Sequence, residues 1–81
     1  MTQVLNVTSG SSIYTMAKSC WVQANLSINW PGCQVMIMIN NIVVVGFQHV
    51  SLQSYHSFYC RNGDVLTYSV LGTGFSQAYI Q

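Results

Sequence analysis

The stretch Cys33–Phe47, CQVMIMINNIVVVGF, constrains the fold of this chain more than any other. Two apolar runs rich in Val and Ile flank Asn40-Asn41, and Asn is one of the few residues besides Gly that tolerates the positive φ of a tight hairpin turn. The pattern predicts a β-hairpin. With a two-residue loop, Ile39 faces Ile42, Ile37 faces Val44 and Val35 faces Gly46, so these six residues share one face, expected to be core. The other face sets Met36 against Val45 and Met38 against Val43. It is just as apolar, whereas an antiparallel sheet with one wet side alternates with polar residues. A domain of this size holds roughly one core, so the second face is expected to pack on another chain, with Met36, Met38, Val43 and Val45 at the contact.

That expectation of an oligomer fits the length. Eighty-one residues make one domain, 1–81, near the lower size at which a single core outweighs chain entropy without disulfides, metal or partner subunits. Charged residues are only 4% of the chain, against a norm of about 25%, so Ser, Thr, Asn and Gln must cover the surface. The charges are Lys18, Arg61 and Asp64 alone. Nucleic-acid binding needs several phosphate-neutralising cations and is set aside. The apolar hairpin is broken by two asparagines and is shorter than the roughly twenty residues of a spanning helix, so no membrane insertion is expected. No basic n-region or apolar h-region opens the chain, so no signal peptide is expected and synthesis is assigned to a cytoplasm.

The remaining segments also read as short strands. Gln3 to Val7 alternates and runs into a polar cluster, Thr8 to Ser12, expected to turn. Ile13 to Lys18 has room for no more than a helical turn. From Cys20 the period is two, with Cys20, Val22, Ala24, Leu26 and Ile28 on one face and Trp21, Gln23, Asn25, Ser27 and Asn29 on the other. Trp30-Pro31-Gly32 stops this strand in a type II turn. Val50 to Cys60 alternates again, and Asn62-Gly63 is expected to join it in a hairpin to Val65–Leu71. A two-residue loop there would put Tyr55, Tyr59, Leu66, Tyr68 and Val70 on one face; a bulged loop would regroup them. Gly72-Thr73-Gly74 turns the chain into a last strand, Phe75 to Ile80. Seven or eight short strands predict an all-β fold, a small antiparallel β-sandwich, with a jelly-roll-like form or a small barrel as the alternative.

Chemistry finds little to work with. Cys20, Cys33 and Cys60 show no C-x-x-C clip, so zinc and thioredoxin-like chemistry have no support and free, mostly buried thiols are expected. His49 and His56 have opposite parity and form no ready metal pair; His56 reads as a hydrogen-bonded core or interface residue. Asp64 is the only side-chain carboxylate, which excludes paired-carboxylate catalysis within one protomer, and no G-x-S-x-G elbow or phosphate-cradling glycine loop is present. No enzyme activity, metal or cofactor is expected. Two triplets, Asn6-Val7-Thr8 and Asn25-Leu26-Ser27, match the glycosylation pattern by chance. The aromatic residues are the remaining resource, for burial or for stacking on a ligand. Trp30, beside a rigid turn, with Tyr55 and Tyr59, is the candidate ligand-binding set, and with so few charges its target should be neutral.

The order Asn6 to Ile13 (NVTSGSSI), Cys20-Trp21-Val22, Met38 to Val44 (MINNIVV), Asn62 to Leu66 (NGDVL) and Gln77 to Ile80 (QAYI) resembles the small β-sandwich proteins and tip domains of tailed-phage and prophage fibres. In those a rhythm of the form TSGSSI, GWV, INGVxV, KGDVV, AxFIP recurs. Cys20 and Asn41 stand where that rhythm has glycines, and Asn62 where it has lysine. The resemblance implies a virion-associated, non-enzymatic structural protein. It implies a homotrimer, contact with other tail or virion proteins, and recognition of a bacterial surface receptor, glycan or protein. Two other readings stand beside it: a small sugar-binding module outside any virion, and a membrane-active hairpin protein.

Overall fold

The computed structural model describes residues 1–28, 34–48 and 52–81. Eight strands follow one another: β1 (Thr2–Val7), β2 (Gly10–Thr15), β3 (Cys20–Ile28), β4 (Gln34–Ile39), β5 (Ile42–Gln48), β6 (Leu52–Cys60), β7 (Val65–Leu71) and β8 (Gly74–Ile80). They pair antiparallel in two four-stranded sheets, β1-β8-β3-β6 (sheet A) and β2-β7-β4-β5 (sheet B). The expected β-sandwich is present, and its strand order is that of an eight-stranded jelly roll rather than a single closed barrel. No helix occurs among the described residues.

Among the described residues only β4 and β5 are consecutive strands within one sheet. Their link is the expected tight turn, with Asn40 at φ 51° and Asn41 at φ 66°, the two positive values of a type I′ hairpin. Every other connection carries the chain from one sheet to the other, which corrects two local expectations. Asn62-Gly63 does not close a hairpin, because β6 lies in sheet A and β7 in sheet B; Gly63, at φ 91°, reverses the chain while it changes layers. Tyr55 and Tyr59 therefore do not share a face with Leu66, Tyr68 and Val70. Ile13 forms no helical turn either. The segment Gly10–Thr15 is extended and pairs along its whole length with Val65–Val70, because the β7 edge supplies the hydrogen bonds that six residues cannot make on their own.

The hairpin register differs from the expected one by a single residue. Ile39 faces Ile42 and Met38 faces Val43, but Ile37 then faces Val45 and Met36 faces Gly46. Val44 is the extra residue of a β-bulge. The slip reverses the facing of everything beyond it, so Val45, expected opposite Met36, packs against the core, and Val44, expected inside, is 46% exposed. Ile42 is exposed as well, because it sits at the hairpin tip on an edge strand.

The core follows the period-two pattern of the inner faces. Val22, Ala24, Leu26 and Ile28 of β3 lie opposite Val35 and Ile37 of β4 and Leu66, Tyr68 and Val70 of β7, with Leu5 and Val7 of β1 filling the flank. Sheet A is lined at its centre by small residues, Ala24, Ser76 and Ala78, and sheet B answers with Tyr68, the largest fully buried side chain. Alternating small against large across two sheets lets the layers interdigitate without voids.

Backbone and side-chain bonds stitch three loops together at one end of the sandwich. Met16 N–H donates to the Asp64 carbonyl (2.8 Å), Gly63 N–H to the Met16 carbonyl (2.8 Å) and Asn40 N–H to the Val65 carbonyl (2.9 Å). Asn62 N–H donates to Ser19 Oγ (2.9 Å). The Asn40 side chain accepts from Val65 N–H (3.0 Å) and donates to Asp64 Oδ1 (3.1 Å), while Asp64 Oδ2 accepts from Arg61 N–H (2.9 Å). These bonds satisfy loop groups that no strand ladder reaches.

Candidate functional site

All three charged side chains, Lys18, Arg61 and Asp64, belong to the stitched loops at that one end. Both outer faces of the sandwich are therefore free of charge, and they differ in chemistry.

The outer face of sheet A is aromatic and amide. Sheet register places Trp21 opposite Tyr59, Gln23 opposite Ser57 and Asn25 opposite Tyr55 across β3 and β6. Across β3 and β8, Gln23 meets Tyr79 and Asn25 meets Gln77, and Asn6 of β1 lies beyond Gln77. Trp21 and Tyr59, 51% and 52% exposed, meet edge to face with ring centroids 5.7 Å apart and planes at 76°, a geometry favoured by the ring quadrupoles. Tyr55, 62% exposed, stands four residues along the same strand. That separation is about 13 Å at the usual strand rise. Hydrogen bonds within the face link its polar groups: Gln23 Nε2 to Asn25 Oδ1 (3.1 Å), Gln53 Nε2 to the Tyr55 hydroxyl (3.3 Å), the Tyr79 hydroxyl to Gln77 Oε1 (3.2 Å) and Gln77 Nε2 to Asn6 Oδ1 (3.4 Å). The amides are held in place and keep further donors and acceptors for solvent or ligand.

The outer face of sheet B is aliphatic and hydroxyl. One cross-strand row runs Ile13, Thr67, Met38, Val43 through all four strands, and the next runs Ser11, Ser69, Met36, Gly46. Ile13 and Val43, at the two ends of the first row, are 65% and 55% exposed. Of the four residues expected at a subunit contact, Met36, Met38 and Val43 thus share this face, and Val45 is turned to the core by the bulge.

Among the sequence candidates for ligand contact, Tyr55 and Tyr59 come together on the sheet A face; Trp30 lies outside the described residues, as do Pro31, Gly32, Cys33, His49 and Val50. Trp21, which is not among those candidates, joins Tyr59 on the same face. Its signal was available, since it has the same parity as Gln23 and Asn25 on the polar side of a strand whose other side is all core.

His56 is half-buried on the inner side of β6, opposite Ala24, with Nε2 3.2 Å from Ser54 Oγ. Asp64, the only side-chain carboxylate, is held in the end loops by Arg61 and Asn40, which keep it below the ordinary carboxylate range. No cluster of three or more metal-ligating side chains and no helix long and apolar enough to cross a membrane occurs among the described residues. No family model, curated protein or solved structure matches the chain.

Proposed function

We propose that this protein is a non-enzymatic recognition module of the tailed-phage fibre or tip kind. It assembles with copies of itself through the outer face of sheet B and presents the outer face of sheet A to a neutral glycan on a bacterial surface. The observation that carries this reading is the division between two uncharged faces, one aliphatic and one aromatic with amides. A row with exposed Ile13 and Val43 at its two ends and half-buried Met38 and Thr67 between them is costly in water and inexpensive against its own copy. A face of aromatic rings and fixed amides suits sugars, whose C–H surfaces stack on rings while their hydroxyls exchange hydrogen bonds with Gln and Asn. With no ionic group on that face, binding should vary little with salt. The trimeric state, the virion location and the company of other tail proteins rest on the fibre resemblance alone.

Two measurements test the halves separately. Light scattering at micromolar concentration should give an oligomer, expected to be a trimer, that Met38→Lys dissociates; a monomeric wild type overturns the assembly half. Binding to neutral bacterial surface polysaccharide should fall at least about tenfold in Trp21→Ala, Tyr55→Ala or Tyr59→Ala, the size usual for a buried aromatic anchor, with the oligomer intact. Unchanged binding in all three overturns the recognition half and moves attention to Trp30. Glycan binding by a protein that never associates with fibre or virion components favours a free-standing sugar-binding module instead.

A further inference from the structure

We propose that Cys20 and Cys60 are a disulfide-closing pair, which exchanges with a low-molecular-weight disulfide such as oxidised glutathione and locks edge strand β6 onto β3. The two residues stand directly opposite each other in the β3–β6 ladder. Both face inward, Cys20 in the parity of Val22 and Cys60 in that of Phe58. Opposed residues of antiparallel strands have Cα atoms about 4.5 or 5.5 Å apart depending on the pair type, and both separations lie inside the range of about 4.4–6.8 Å that a disulfide spans. Cys60 is fully buried and Cys20 half-buried, so the two thiols differ in access as an entry thiol and a resolving thiol do.

The chemistry balances without further reagents. The Cys20 thiolate attacks one sulfur of oxidised glutathione, forming a mixed disulfide and expelling one glutathione thiolate. Cys60 Sγ then attacks the Cys20 sulfur, the Cys20–glutathione bond breaks, and the second glutathione leaves with the proton that Cys60 gives up. Two protein thiols are oxidised and one glutathione disulfide is reduced. Burial first, with Asp64 and Cys20 adding to it, pushes the Cys60 thiol up to about 11, which slows its attack on the mixed disulfide. The closed bond fastens the strand that carries Tyr55 and Tyr59 to the strand that carries Trp21. β6 is an edge strand of sheet A among the described residues, and the bond also closes a chain loop that contains β4 and β5. In a glutathione-reduced cytosol the pair stays open; in an oxidising medium it closes.

Closure of the pair requires no glycan and is tested without a ligand. Cys33→Ser protein is incubated with a mixture of oxidised and reduced glutathione, trapped by alkylation and weighed intact. Expected are a product lighter by two hydrogens that takes up no alkylating group, a Cys20–Cys60 linkage in the peptide map, and an unfolding midpoint higher by on the order of 10 °C that dithiothreitol reverses. Cys20→Ser in the same background should show no redox-dependent shift. Two thiols that remain alkylatable, or a Cys20 glutathione adduct that never resolves, overturn the proposal. So does a closed bond that leaves the midpoint unchanged.

Discussion

Tyr68→Phe should stabilise this protein, although it removes a polar group from the middle of the fold. The Tyr68 hydroxyl and the Ser76 hydroxyl are both buried and have no hydrogen-bond partner among the described protein groups, and burial raises the Tyr68 phenol far above its ordinary range, with Cys60 adding to it. A buried hydroxyl without a partner costs about 1–3 kcal/mol of desolvation, and the ring of phenylalanine fills the same space apart from one oxygen. Subtracting a small cavity cost leaves a gain of about 1 kcal/mol. For a domain of this size that is a rise in Tm of about 4–8 °C, against a total stability of only about 5–15 kcal/mol. The assay is urea unfolding and calorimetry of both proteins at equal protomer concentration, because assembly makes Tm depend on concentration. A loss of about 1 kcal/mol or more refutes the reasoning and means that the hydroxyl has a partner in solution. The double variant with Ser76→Ala locates that partner: the two effects add if the hydroxyls are independent, and a coupling energy shows that they bond each other across the sandwich.

The bulge makes opposite predictions for neighbouring valines: Val44→Lys should fold with nearly wild-type stability, whereas Val45→Lys places an ammonium against the core and should cost several kcal/mol or prevent folding. The reverse order by urea unfolding would restore the regular register. Asn41→Gly should be neutral or slightly stabilising, since only the positive φ is asked of that residue, while Asn40→Gly keeps the turn but loses the bond from Val65 N–H and should cost about 1 kcal/mol in thermal or urea unfolding. Asp64 sets an acid limit. Its folded pKa is depressed, chiefly by the Arg61 N–H and next by the Asn40 side chain, so its stabilising contribution is complete above the ordinary carboxylate pKa of about 4 and is lost as pH falls through the folded value. Tm measured from pH 7 down to pH 2 should drop over that window in wild type and stay flatter in Asp64→Asn.

Much of this architecture is legible locally. A strand announces itself by period-two alternation, and a turn by the few residues that accept positive φ, so the hairpin at Asn40-Asn41, the inner and outer sides of β3 and the all-β class follow from short windows of sequence. The same windows are silent on partners. Asn62-Gly63 reverses the chain equally well whether the flanking strands pair or part to different sheets, because the φ it supplies is the same in both. In Val43-Val44-Val45, three identical side chains carry no mark of which one the bulge expels. The gathering of Lys18, Arg61 and Asp64 at one end depends on two distant loops meeting, and the union of Trp21, Tyr55, Tyr59 and the amides on one face depends on the pairing of distant strands. By itself the sequence determined most of the strands, the tight turn at Asn40-Asn41 and the shortage of charge, which are set by the conformational preferences of neighbouring residues; β2 became a strand only through the β7 edge that it pairs with. Tertiary structure alone decided which strands share a sheet and which side chains share a face, since those depend on hydrogen bonds and packing between segments tens of residues apart.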